Sequence, residues 1–188
     1  MESLPSEITK YVIDGKFKWN PAENDLSNPH LRRKVKKFDN VILVDAPNLT
    51  EPEKRQKYID LCAENGNRIC FIIDSDEYIL EADWPSFYRT CSRLESGLHN
   101  IQTKHRAQRL LQPRIWINPS EWKYEICHCW FKNVKTGTLL KGCATPKSVT
   151  FTKILLGTDD SLRTDEWMKN TEEYQNKLWA FETPLRRK

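Results

Sequence analysis

No apolar run in this chain approaches the ~20 residues a membrane-spanning helix needs, so a helical membrane span is not expected. None of the six cysteines forms a CxxC pair, and their spacing matches neither a zinc ribbon nor a dense secreted disulfide scaffold. Buried free thiols in a reducing compartment are expected instead, with Cys62 and Cys70 in apolar-rich segments. The opening MESLPSEITK has no basic stretch followed by an apolar one and does not read as a signal peptide. Internal repeats are lacking, and so is low complexity beyond one basic run. These absences together lead us to expect a soluble, cytoplasmic protein.

What is present suits one domain spanning 1–188. Seven Trp, seven Phe and six Tyr are ample core material, which argues against disorder. Net charge is only +4, yet LRRKVKK at 31–37 packs five cations into seven residues, and the chain closes on LRRK. Such clustering can be a nucleic-acid footprint. A solvated helix face explains it as well, and no aromatic residues interleave with the cations to stack on bases.

Along the chain, KYVID (10–14) reads as a strand stopped by Gly15, and a loop with two Asn-Pro pairs follows. NVILVD (40–45) reads as a second strand. Thr50 and Glu53 then form a capping box with Pro52 in the first turn, opening a helix that closes near Asn65–Gly66. ICFIID is a continuous, β-branched run, as expected of a strand covered on both faces. A further helix starts near Asp83. Strand, helix, strand, helix in this order predicts an α/β sandwich with a mainly parallel central sheet, whose ligands bind beyond the carboxyl ends of the strands. In the second half, 113–118, 121–131 and 148–156 read as strands joined too closely for crossover helices, hence antiparallel. The tail DDSLRTDEWMKNTEEYQNKLWAFE reads as helical.

One stretch carries chemistry. In FIIDSDEYI, Asp74, Asp76 and Glu77 crowd the end of a buried strand, and like charges disfavour each other's ionised form. A positive partner is needed, either a divalent cation or neighbouring basic side chains. Two carboxylates spaced Asp-x-Asp suit a hard cation that also takes oxygens from a substrate phosphate. The bland alternative for the pair is a capped turn, and for Asp14 an Asx-turn with Lys16.

RICFIIDSDEYI resembles the hydrophobic strand followed by Asp-x-Asp-Glu-aromatic of glycosyltransferase family 2 proteins, which have the GT-A fold. YVIDGKF, EKRQKYIDLCAENGN and LQPRIWINPSEWKYEICH are similar to further segments of that family in the same order, and SLRTDEW is also reminiscent of it. Only thirteen residues precede Asp14, so a counterpart of the family's usual first β-α unit, with its base-gripping acidic motif, is not expected here. The late histidine of the family is likewise unmatched in VTFTKILLGTDD.

The resemblance implies a compact GT-A-like domain with a nucleotide and metal half (10–95) and an acceptor half (110–182). It implies a metal-dependent glycosyltransferase that moves a sugar from a nucleoside-diphosphate sugar onto an acceptor hydroxyl. Asp74 and Asp76 would hold Mn²⁺ or Mg²⁺. Asp14, Gly15, Arg55 and Glu77 would serve the nucleotide sugar. Glu125 and His128 would lie near sugar or acceptor, and Glu121 or Glu125 would act as general base. The acceptor, whether glycan, lipid, protein or nucleic acid, is left open, as is oligomeric state. Two other readings compete: a non-catalytic GT-A-like binding module, and a metal-dependent phosphatase or nuclease. The latter's Asp-x-Asp usually continues into Gly or Thr, whereas Glu77-Tyr78 follow here.

Other residues draw blander expectations. In Cys127-His128-Cys129, alternation along a strand sends His128 to the face opposite both cysteines, which disfavours zinc. His30, His99 and His105 are expected at the surface. The Trp residues are expected mainly in the core, with Trp116 and Trp122 the candidates for sugar stacking.

Overall fold

A computed structural model describes residues 4–18, 20, 24–105, 108–125, 130–141, 145, 147–159, 161, 169 and 173. Strand β1 (Lys10–Asp14) pairs in parallel with β2 (Val41–Asp45), in a register that sets Asp14 beside Asp45. Between them lies the short helix α1 (Pro29–Val35), with Asn28 as its cap. Helix α2 (Glu51–Glu64) begins with the expected capping box, in which Thr50 and Glu53 satisfy each other's backbone N–H. It closes at Asn65 and Gly66, whose φ of +68° is the left-handed geometry a glycine adopts without strain.

The main sheet has five strands in the order β3 (Ile69–Phe71), β6 (Gln108–Ile117), β5 (Gly97–His105), β10 (Thr150–Thr158), β4 (Glu77–Ala82). Helix α3 (Trp84–Cys91), capped by Asp83, links β4 towards β5. A 3-10 turn (Pro119–Glu121) leads into an antiparallel meander of β7 (Trp122–Tyr124), β8 (Trp130–Asn133) and β9 (Leu139–Lys141). The architecture is thus a mixed α/β domain with antiparallel strands in its second half.

The expected mainly parallel sheet is instead mixed. Only β5–β10 is parallel within the five-stranded sheet, and its other three pairings are antiparallel. Part of the reason lies in the connections: β5 returns directly into β6, with no length for a crossover helix, while β4 follows β3 closely in the chain yet pairs antiparallel with β10 at the opposite edge of the sheet. Strands β4 and β5 were not foreseen. EYILEA directly follows an acidic turn, and GLHNIQTKH carries a polar mixture that masks its alternation. The run 121–131 was expected as one strand. Its first part forms β7, while 126–129, with Cys127, His128 and Cys129, lie outside the described residues, as does nearly all of the C-terminal segment.

Strand β6 organises the core. Trp116 faces a cluster of Ile59, Cys62, Cys70, Leu98, Trp122, Tyr124 and Phe131. Its neighbours Ile115 and Ile117 face a second cluster with Phe87, Ile101, Phe151, Ile154 and Leu156. This is the period-2 alternation of a strand covered on both faces. Trp116 and Trp122 pack together with centroids 5.6 Å apart, so both are core residues. Cys62, Cys70 and Cys91 are free and buried, as expected.

Gly15 ends β1 with φ +147°, and a Cβ there would lie 2.5 Å from the Ala46 carbonyl oxygen. Gly15→Ala is therefore expected to cost about 1–3 kcal/mol, read as a fall in Tm of ~2–4 °C per kcal/mol in thermal melts. An unchanged Tm would show that the β1–β2 junction yields without strain.

Candidate active site at the carboxyl ends of β1 and β3

Phe71 ends β3, and the Ile72 N–H still reaches the Arg114 carbonyl of β6 at 2.8 Å. The chain then turns: the Glu77 N–H bonds the Asp74 carbonyl at 3.0 Å, and the Glu77 carboxylate accepts the Asp74 N–H at 2.9 Å. The turn therefore bends Asp74, Ser75 and Asp76 back on themselves at the sheet edge. The Asp76 carbonyl accepts the N–H of Asp159, the residue following β10, at 2.7 Å.

The positive partner of these carboxylates is Arg114. Its Nη2 donates to Asp74 Oδ2 and to Glu77 Oε1, both at 2.7 Å. The Arg114 side chain is 7% exposed and that of Glu77 4%, whereas that of Asp74 is 37% exposed. Burial pushes the Glu77 carboxyl up, Arg114 draws it down and Asp74 raises it, leaving it above the usual carboxylate range.

Helix α2 adds a second cation. Arg55 donates to Glu51 at 3.0 Å. Burial disfavours its charge, but Asp74 and Glu51 outweigh this and hold it firmly protonated. Burial, reinforced by Asp74, pushes the Tyr58 phenol up to about 12. Tyr124 of β7 is also pushed up by burial, against the pull of Arg55. Arg55, Tyr58, Arg114 and Tyr124 thus form a largely buried wall behind Asp74.

The preceding residue of α2 serves β1. Lys54 Nζ donates to the Gly15 carbonyl at 2.6 Å and lies 4.5 Å from the centre of the Phe17 ring. Burial lowers its pKa, and nearby Asp14 opposes that shift. Asp14 itself is buried. It accepts from the Ser27 hydroxyl at 2.6 Å, from the Ser27 N–H and from Arg32, which also donates to Asp45 at 2.6 Å. Burial would raise the Asp14 carboxyl, but the bonds from Ser27 and Arg32 outweigh it and hold it below the usual range.

The remaining site residues lie on the β7 side. The Glu121 carboxylate accepts from Lys135 Nζ at 2.6 Å, and bonds from Lys135 and Ser96 lower its pKa against a smaller opposing effect of burial. Glu125 is exposed and follows Tyr124, its N–H bonded to the Trp130 carbonyl at 2.9 Å. His128 lies outside the described residues. His99, expected at the surface, is buried: its Nδ1 accepts from the Val149 N–H, and its Nε2 lies 3.2 Å from the Glu95 carbonyl oxygen. Flanking polarity misled that expectation, since β5 runs through the middle of the sheet.

Sequence reasoning singled out neither Arg114 nor Lys54, Tyr58 and Tyr124 as site residues. A signal for Arg114 exists in PRIWI, where one cation interrupts an apolar strand and so demands a buried counter-charge. No group of three or more metal-binding side chains is found among the described residues. No family model matches this chain, and no match to it is found among curated proteins or solved structures.

Removing Arg114 strands a buried carboxylate, so Arg114→Met is expected to cost about 3–5 kcal/mol in urea unfolding. Glu77→Gln in the same chain should return part of that loss; strictly additive effects would show that the pair does not interact. Asp14 predicts a pH effect. A carboxyl whose folded pKa is depressed contributes stability above its unfolded value of about 3.8, and loses it as pH falls through the folded value. Asp14→Asn should therefore be less stable than wild type at pH 7, with the difference shrinking below pH ~4; a gap constant with pH would rule the linkage out.

Proposed function

We propose that this chain is a metal-dependent glycosyltransferase of GT-A type, transferring a sugar from a nucleoside-diphosphate sugar to an acceptor hydroxyl. One observation carries the reading. Consecutive residues of α2 serve two strand ends: Lys54 bonds the Gly15 carbonyl just beyond β1, and Arg55 is held charged in part by Asp74 just beyond β3. The carboxyl ends of β1 and β3 therefore lie along one helix, with the Asp74–Asp76 turn between solvent and a buried cationic wall. Such strand ends are where α/β sheets bind ligands.

Two carboxylates on one tight turn fit Mg²⁺ or Mn²⁺, which accept a few protein oxygens and complete their shell with water and phosphate. Asp74 and Asp76 would hold the ion, and its chemistry there would be neutralisation of charge on a departing diphosphate. Arg114 and Glu77 fix the orientation of Asp74 through their shared bonds. Asp14, held by Ser27 and Arg32, keeps the β1 end in place on the nucleotide side, and Gly15 lets the backbone turn closely there. Glu125, exposed and next to Tyr124, is the better placed of the two base candidates, because Glu121 is held by Lys135.

A GT-A-like binding module without turnover is favoured by a different observation: Asp74 and Glu77 already share the Arg114 guanidinium as a cationic partner. One experiment serves both readings. Thermal melts with a panel of nucleoside diphosphates and Mn²⁺ should show a rise in Tm that needs both components, because ligands that bind the native state stabilise it. The rise should vanish in Asp76→Ala. No rise with any nucleotide would contradict both readings, and a rise without sugar transfer or donor hydrolysis would select the module.

A further inference from the structure

Helix α1 buries none of its residues. Its hold on the domain is ionic, through Arg32 clamped between Asp14 and Asp45. The other cations of the run, Arg33, Lys34, Lys36 and Lys37, are all exposed. None of these four side chains makes a hydrogen bond or ion pair with the described residues. At ~100° per residue, Arg33 and Lys34 project away from the Arg32 anchor. The turn that closes the helix, with the Lys37 N–H on the Lys34 carbonyl at 3.1 Å, carries the charge onward.

An apolar group accompanies the cations: Leu31 is 52% exposed on the same helix. An exposed run of unpaired cations with an apolar side chain among them suits a surface that is anionic outside and apolar beneath. We infer that α1 and the turn that closes it form a docking surface for an anionic lipid bilayer. Charge complementarity favours that occupant, since the four cations find no acidic partner within the described residues. Nucleic acid fits less well, because no aromatic side chain interleaves with the run to stack on bases. Association of this kind is peripheral, in keeping with the lack of a helix long and apolar enough to cross a membrane among the described residues. The inference stands apart from the proposed transferase activity.

Flotation of the full chain with phosphatidylcholine vesicles, with and without about 30% phosphatidylserine, tests it at about 0.1 M salt, where surface charges still act over ~10 Å. Binding is expected to the anionic vesicles alone. Arg33→Gln, Lys34→Gln and Lys37→Gln together should weaken it about a hundredfold, at about fivefold per cation. Leu31→Ser should weaken it further. These side chains are exposed, so the Tm of the variants should match wild type. Equal binding to neutral vesicles, no binding to anionic ones, or full binding by the triple variant would overturn the inference. So would a mixed-sequence oligonucleotide that binds more tightly than the vesicles and is lost in the same variant.

Discussion

A guanidinium sealed inside a sheet must be met by carboxylates, and Arg114 is met twice by one tight turn. Its Nη2 bonds to Asp74 and Glu77 fix where β3 ends and where β4 begins. Arg114 lies on β6, the strand whose Trp116 enters one apolar cluster while Ile115 and Ile117 enter the other. The polar centre and the two cores are therefore built on four consecutive residues. A shift of β6 by one residue would exchange the faces of all four at once.

The same centre reaches the rest of the domain through α2. Arg55 and Tyr58 lean on Asp74 electrostatically, Lys54 holds the β1 end, and Gln56 accepts the Tyr124 N–H at 2.7 Å, docking the meander. One turn of α2, reaching out on different sides, thus positions β1, β3 and β7. The arrangement contains costly terms, because buried ions give up hydration that their attraction only partly restores. Of the two carboxylates, buried Glu77 bears more of that cost than Asp74, which stays partly exposed. An uneven split of this kind leaves one carboxylate of the turn accessible while its neighbour serves as scaffold.

Local signals were the ones legible in the sequence. The Thr50–Glu53 capping box, the Gly66 stop, the helix start near Asp83 and the strands read at 10–14 and 40–45 each depend on a few adjacent residues, and each is matched by an element within a residue of its bounds. Sheet order was not legible, because β10 inserts between β5 and β4 through pairings distant in the chain. The acidic turn was conspicuous as a charge problem, but its answer lay 40 residues away at Arg114. The basic run read as a solvated helix face. That holds for four of its cations, while Arg32 proved to be the exception that ties α1 to two strand ends.

The central claim is that the Asp74–Asp76 turn accepts a divalent cation although Arg114 already lies behind it. Electron paramagnetic resonance of Mn²⁺ titrated with the chain tests it most directly. The account predicts loss of the free-ion signal in the presence of a nucleoside diphosphate beyond what the nucleotide alone removes, with that extra loss abolished in Asp74→Asn and Asp76→Asn. A free-ion signal unchanged by adding the protein, or a loss that survives both substitutions, would contradict it.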